Sequence, residues 1–211
     1  MPSTEAQGER REKDGVFINC PFDEKFRPMF DAIVFAVHDC GFRPRCTLEN
    51  VDSGDTRITK IIQLLKSCRY SIHDISRTQI SAENRLPRFN MPLELGLDLG
   101  LRYSENLAWG QKKCVVLDRI QYRYQKFISD IAGQDIRSHG NDPSRVIRVV
   151  LDWLRTASER ASIPGDTDIL RRYRRFQRDL PRIIKTAGLR KATLGFVDYS
   201  NMAAVWLEQR H

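Results

Sequence analysis

Apolar residues follow two rhythms along the first 155 positions, short runs and three-and-four steps, and the two take turns. Val16-Phe17-Ile18 is a short run between Gly15 and the breaker Asn19-Cys20-Pro21, which predicts a buried first strand leading into a loop. Over 25–40, Phe26, Met29, Phe30, Ile33, Val34 and Val37 keep helical spacing, and Gly41 marks the stop. A second strand is predicted over 42–48, weakened by Pro44, followed by a polar loop over 49–55. Ile58, Ile61, Ile62 and Leu65 predict a helix over 56–68, and 69–75 reads as a third strand before a long polar loop. Lys113–Asp118 is the clearest strand of the chain. A short helix over 122–131 and a fifth strand over 134–138 follow. Asp142-Pro143 then opens a helix through Arg155, with Val146, Val149, Val150, Trp153 and Leu154 on its apolar side.

Strands alternating with helices of this length imply a parallel sheet covered on both faces. Ligands of such sheets bind at the carboxyl ends of the strands. The segments predicted to meet there are 19–23, 49–55, 74–76 and the start of the helix near residue 90, all rich in polar or special residues. Residues 162–166, Ser-Ile-Pro-Gly-Asp, read as a linker. Beyond it, 166–211 reads as a small basic helical appendage. Leu170, Tyr173, Phe176 and Leu180 form its apolar stripe, Arg171, Arg174, Arg175 and Arg178 gather on the opposite side, and Pro181 interrupts. Residues 1–14 are polar, with no apolar core of a secretory signal, and are expected to be disordered. The main domain is therefore 15–161.

Composition narrows the class. No apolar run approaches the roughly 20 residues of a membrane span. Five widely spaced cysteines match no metal-ligand spacing, so a reduced, cytoplasmic protein without a bound metal or cofactor is expected. A net charge of +8 points to anionic partners.

The most informative stretch is Asn90-Met91-Pro92-Leu93-Glu94-Leu95-Gly96-Leu97-Asp98-Leu99-Gly100. Its leucines alternate as in a strand, but leucine favours helix and nothing here is β-branched. As a helix it has Pro92 in the first turn, Asn90 as the expected cap, and Glu94 near the N-terminus, where the helix dipole stabilises a carboxylate. Pro92, Gly96 and Gly100 share one face, expected to lie close against the sheet. A carboxylate held at the end of an apolar helix suits attack on, or stabilisation of, a positively charged sugar carbon.

Three motifs carry a resemblance over the first 160 residues or so. Val16-Phe17-Ile18-Asn19-Cys20-Pro21-Phe22 resembles a first strand with its nucleotide-facing loop, and Ile72-His73-Asp74-Ile75-Ser76 a third strand ending in Asp. Arg88-Phe89-Asn90-Met91-Pro92-Leu93-Glu94-Leu95-Gly96 resembles the N-V-x-x-E-L-G helix start of a superfamily. That superfamily joins nucleoside 2-deoxyribosyltransferases, Toll/interleukin-1 receptor (TIR) domains and bacterial TIR-like nucleotide-binding proteins. The resemblance implies a flavodoxin-like sheet of about five strands. It also implies cleavage of an N-glycosidic bond, in nucleosides or in NAD as substrate, with Glu94 as the catalytic acid; many bacterial members act in anti-phage defence. Cys20-Pro21 departs from the small residues usual after strand one, and Pro92 sits inside the Glu motif.

Around Glu94, Asp74 could hold a ribose hydroxyl or assist the departing base, or simply shape a turn. Asn19 and Asp23 flank a loop fit to meet a sugar or phosphate. Phe22 could stack on a base or belong to the core. Arg57 could pair with phosphate or be solvated. Asn90 combines capping with positioning, and His73 is read as packed beside the sheet. Asn19, Phe22, Asp74, Asn90 and Glu94 are expected to line one pocket. Two competing classes are a non-catalytic TIR-like module that binds a nucleotide or assembles as a homo-oligomer, and nucleic-acid binding through Arg171, Arg174, Arg175 and Arg178.

Overall fold

The computed structural model describes residues 14–49, 54–78, 87–104 and 111–209. The expected disorder of 1–13, the middle of the 49–55 loop and most of the 76–89 loop lie outside these residues. Five strands form one parallel sheet: β1 (Gly15–Asn19), β2 (Arg43–Arg45), β3 (Tyr70–Asp74), β4 (Lys113–Asp118) and β5 (Arg137–Ser138), in the order β2-β1-β3-β4-β5. This is a flavodoxin-like α/β fold. Among the described residues six helices accompany it: α1 (Arg27–Asp39), α2 (Arg57–Ser67), α3 (Asn90–Arg102), α4 (Pro143–Ser158), α5 (Asp166–Thr186) and α6 (Phe196–Glu208). None of the described helices is long and apolar enough to cross a membrane.

The period-two rule sorts the strand residues between the two faces. Val16, Ile18, Tyr70, Ile72, Val115 and Leu117 share a core with α1 and α4. Phe17 packs instead with Ile61, Leu64 and Leu65 of α2, and Val116 with Met91 and Leu95 of α3. Helix α1 buries an unbroken Ala32–Val37 because it is covered twice, by the sheet below and by α5 and α6 above. Its Phe35 stacks on Phe176 at 5.3 Å between ring centres and meets Tyr173 and Trp206. Arg172 of α5 bonds both oxygens of Asp39, and the Tyr199 hydroxyl of α6 donates to the Asp31 carbonyl. The C-terminal helices thus form a third layer on one continuous core, and Ile163 buries the connection leading to them.

Several expected elements come out differently. Strand β2 is only three residues long, followed by a 3-10 turn at Thr47–Glu49. Pro44 is tolerated because β2 is an edge strand paired only with β1. The short helix over 122–131 is a pair of 3-10 turns, Arg123–Lys126 and Ser129–Ile131. The fifth strand shrinks to two residues. Pro181 does not interrupt α5, because Leu180 and Ile184 are anchored in the core on either side of it. Asn90 does not cap α3: Phe89 holds the cap position without a side-chain bond, and Asn90 is the first, exposed helical residue.

The small face of α3 also turns the other way. Gly96 and Gly100 are exposed, and a Cβ on either meets nothing within 4 Å. Neither has a positive φ. Gly96→Ala and Gly100→Ala should therefore each stabilise the protein by about 0.5–1 kcal/mol, seen as a higher urea midpoint with unchanged slope.

His38 bridges the layers, its Nε2 2.8 Å from the Ser200 hydroxyl. Burial, with Arg43 nearby, lowers its pKa from 6.5 to about 4. A depressed histidine contributes stability that is complete above its ordinary value and is lost as pH falls through its folded one. Urea melts should show stability declining between pH 6.5 and about 4, and His38→Gln should flatten that decline.

Candidate active site

A parallel strand covered on both faces is usually apolar throughout. β3 is not: Tyr70 and Ile72 point to α1, while Ser71 and His73 occupy the face beneath α3. Asn19, paired in register with His73, lies on that same face. The polar groups need partners, and α3 supplies them. The Asn19 amide nitrogen donates to the Met91 carbonyl at 2.9 Å and lies 3.0 Å from His73 Nδ1. The Met91 carbonyl can only accept, so the amide is oriented with its NH2 inward and Nδ1 must accept. His73 therefore carries its proton on Nε2 and donates it to Asp98 Oδ2 at 2.9 Å. The Ser71 hydroxyl donates to the same oxygen.

Lys112 closes the network from the other side. It is 4% exposed, donates to the Leu65 and Cys68 carbonyls at 2.6 and 2.7 Å, and lies 3.1 Å from Asp98 Oδ1. One ammonium thus caps the C-terminus of α2, where a cation suits the helix dipole, and neutralises an acid of α3.

Glu94 stands one turn before Asp98 on the same buried side of α3, yet its surroundings are opposite. Burial alone would raise the Asp98 carboxyl; His73, Lys112 and Ser71 outweigh it and hold the group at about 2. Burial also raises the Glu94 carboxyl, and Arg57 and His73 offset this only in part. Among the described residues its only ion-pair partner is Arg57, 3.7 Å away, on a side chain that is 58% exposed. Two carboxylates driven apart by their environments are the usual mark of a division between structural and chemical work.

Other predicted residues approach the same edge. Asp74 ends β3 fully buried, with Oδ1 accepting the Ser76 N–H and Oδ2 facing His139 Nε2 at 2.9 Å. His139 Nδ1 accepts the Asn141 N–H, which leaves the ring proton on Nε2, close to Asp74 Oδ2 but outside hydrogen-bond geometry. Cys20 lies among these acids: burial pushes its thiol well up, and the charges of Asp74, Glu94 and Asp23 add to that push. Asn19, Cys20, Asp74 and Glu94 thus gather at the carboxyl ends of β1 and β3, where α3 begins. Phe22 and Asp23 are more peripheral. The Phe22 ring packs edge-on against Phe30, 5.3 Å away. Asp23 accepts the Phe26 N–H before α1 and pairs with Arg88 at 3.0 Å. Asn90 is exposed at the start of the helix. A cleft of about 960 Å3 lies elsewhere, among His38, Arg43, Arg45, Lys60 and Phe196.

The sequence reading missed Asp98, Lys112 and His139, and did not see that His73 is the centre of a network. Two signals were present: the alternation Tyr70-Ser71-Ile72-His73 in a strand of a sheet expected to be covered on both faces, and the i, i+4 spacing that sets Glu94 and Asp98 on one face. The five cysteines are free thiols. No family model, curated protein or solved structure matches this chain.

Proposed function

We propose that this protein cleaves the N-glycosidic bond of a nucleoside or nucleotide, NAD included, with Glu94 as the catalytic carboxylate. The observation that carries this reading is the contrast along α3: an Asp98 held by His73, Ser71 and Lys112 beside a buried Glu94 whose only ion-pair partner among the described residues is the exposed Arg57. An acid kept in that condition costs stability and is suited to a positive charge that arrives with the substrate. As the C–N bond breaks, the base departs with its electron pair and the anomeric carbon becomes oxocarbenium-like. The Glu94 carboxylate either stabilises that carbon or donates an electron pair to it, and water then releases the sugar. Arg57 meets the phosphate of a nucleotide in this reading, and Asp74, fully buried, positions the edge through His139 rather than touching substrate.

The likeness of the three sequence motifs to deoxyribosyltransferases and TIR-like proteins supports the same chemistry. The test is direct. Purified protein is incubated with a panel of nucleosides, nucleotides and NAD, and free base is followed by chromatography. Release of base from one class supports the reading; tight binding of a nucleotide with no release places the protein among non-catalytic binding modules.

A further inference from the structure

Of the 211 residues, the last 46 hold ten basic and five acidic side chains, so most of the net charge of +8 resides there. Arg172 is committed to Asp39, and Arg171 pairs with Asp168. Arg174, Arg175, Arg178, Arg182 and Lys185 are exposed and have no ion pair among the described residues. With Arg171 they lie along the solvent side of α5 at three- and four-residue steps, except that Arg174 and Arg175 are adjacent. At 1.5 Å per residue the stripe runs about 21 Å. The other exposed residues between its ends are Gln177 and Pro181.

This arrangement works against the helix that carries it. Like charges three and four residues apart each cost a few tenths of a kcal/mol, and Asp179, the one acid within the span, is half-buried and accepts the Trp206 indole N–H. The buried side of α5 already fixes the helix through Leu170, Tyr173, Phe176, Leu180 and Ile184, so folding does not require the arginines. Arginine, rather than lysine, supplies almost the whole stripe, and its planar fork matches phosphate oxygens two at a time. No exposed large apolar side chain lies between the cations, so the stripe offers neither an anchor for a protein hot spot nor a wedge for a bilayer.

We infer that the outer face of α5 is a docking surface for the sugar–phosphate backbone of a nucleic acid. A straight row of cations about 21 Å long spans roughly six phosphates of one strand at 3.4 Å each. Binding is through phosphates, so it carries little sequence preference and depends strongly on salt. The inference is independent of the chemistry at Glu94.

Full-length protein is titrated with fluorescent 25-base-pair DNA, single-stranded DNA and RNA from about 20 to 200 mM salt, beside a quadruple variant, Arg174→Ala, Arg175→Ala, Arg178→Ala, Arg182→Ala. All four side chains are exposed and without an ion pair among the described residues, so the fold should be retained, as circular dichroism will verify. The wild type should bind at least one of the nucleic acids with a log–log salt slope of about −4 to −5, and the variant should lose at least 100-fold in affinity at low salt together with most of that slope. Absence of binding at about 20 mM salt overturns the inference. So does binding that the four substitutions leave unchanged, or tighter capture by anionic lipid vesicles than by any nucleic acid.

Discussion

Asp98→Ala should destabilise the protein by about 3–5 kcal/mol, a large share of the stability of a domain this size. The substitution leaves Lys112 buried without its counter-charge and the His73 Nε2–H without its acceptor. It also loosens three elements at once, because α2, α3 and β3 meet through this carboxylate. Asp98→Asn keeps an acceptor for His73 and the shape of the side chain, so it should cost less than the alanine but still leave Lys112 unneutralised. The pH dependence has a definite sign. The folded pKa is depressed to about 2 from 3.8, so the contribution is complete above the ordinary value and fades only as pH falls from 3.8 towards 2. Urea melts of wild type and Asp98→Ala between pH 7 and pH 2.5 should therefore converge at the acid end.

Glu94→Gln should do the reverse. Its carboxyl is raised by burial, so at low pH, where the group is protonated folded or unfolded, it costs nothing. As pH rises through the folded pKa the ionised form becomes a burden on the native state. The amide should make the protein more stable at pH 7 by on the order of 1 kcal/mol, about 2–4 °C in Tm, with the gain vanishing towards pH 4. Under the proposed function base release should move the other way: an amide can neither attack nor neutralise a developing oxocarbenium ion, so kcat should fall by at least a few orders of magnitude. A gain in stability joined to a loss of turnover, one helical turn from a residue whose loss nearly unfolds the chain, separates functional from structural use of the same side-chain type.

The parts of this architecture that rest on periodicity were legible in advance. The three-and-four spacing of Phe26 to Val37 and the run Val16-Phe17-Ile18 each correspond to a real element, and the alternation of element types led to the parallel sheet. What failed was decided by neighbours distant in sequence. Pro181 stays helical because Leu180 and Ile184 reach the core under α1, which no local rule for proline can register. Gly96 and Gly100 look outward because the buried side of α3 is claimed by Met91, Leu95 and two carboxylates, not by small residues. The acid expected to act, Glu94, stands out in the sequence as an anomaly among leucines, and the fold buries it. Its counterpart Asp98 was overlooked because its meaning depends on Ser71, His73 and Lys112, residues 27, 25 and 14 positions away, which only the register of β3 and β4 brings beneath it.

Base release by wild type and Glu94→Gln, measured side by side on the best substrate of the panel, tests the central claim most directly. The account predicts release by the wild type and at least about a 1,000-fold slower release by the variant, with the variant's melting temperature equal to or above the wild type's. Equal release by the two proteins would contradict it, and would place the chemistry somewhere other than the start of α3.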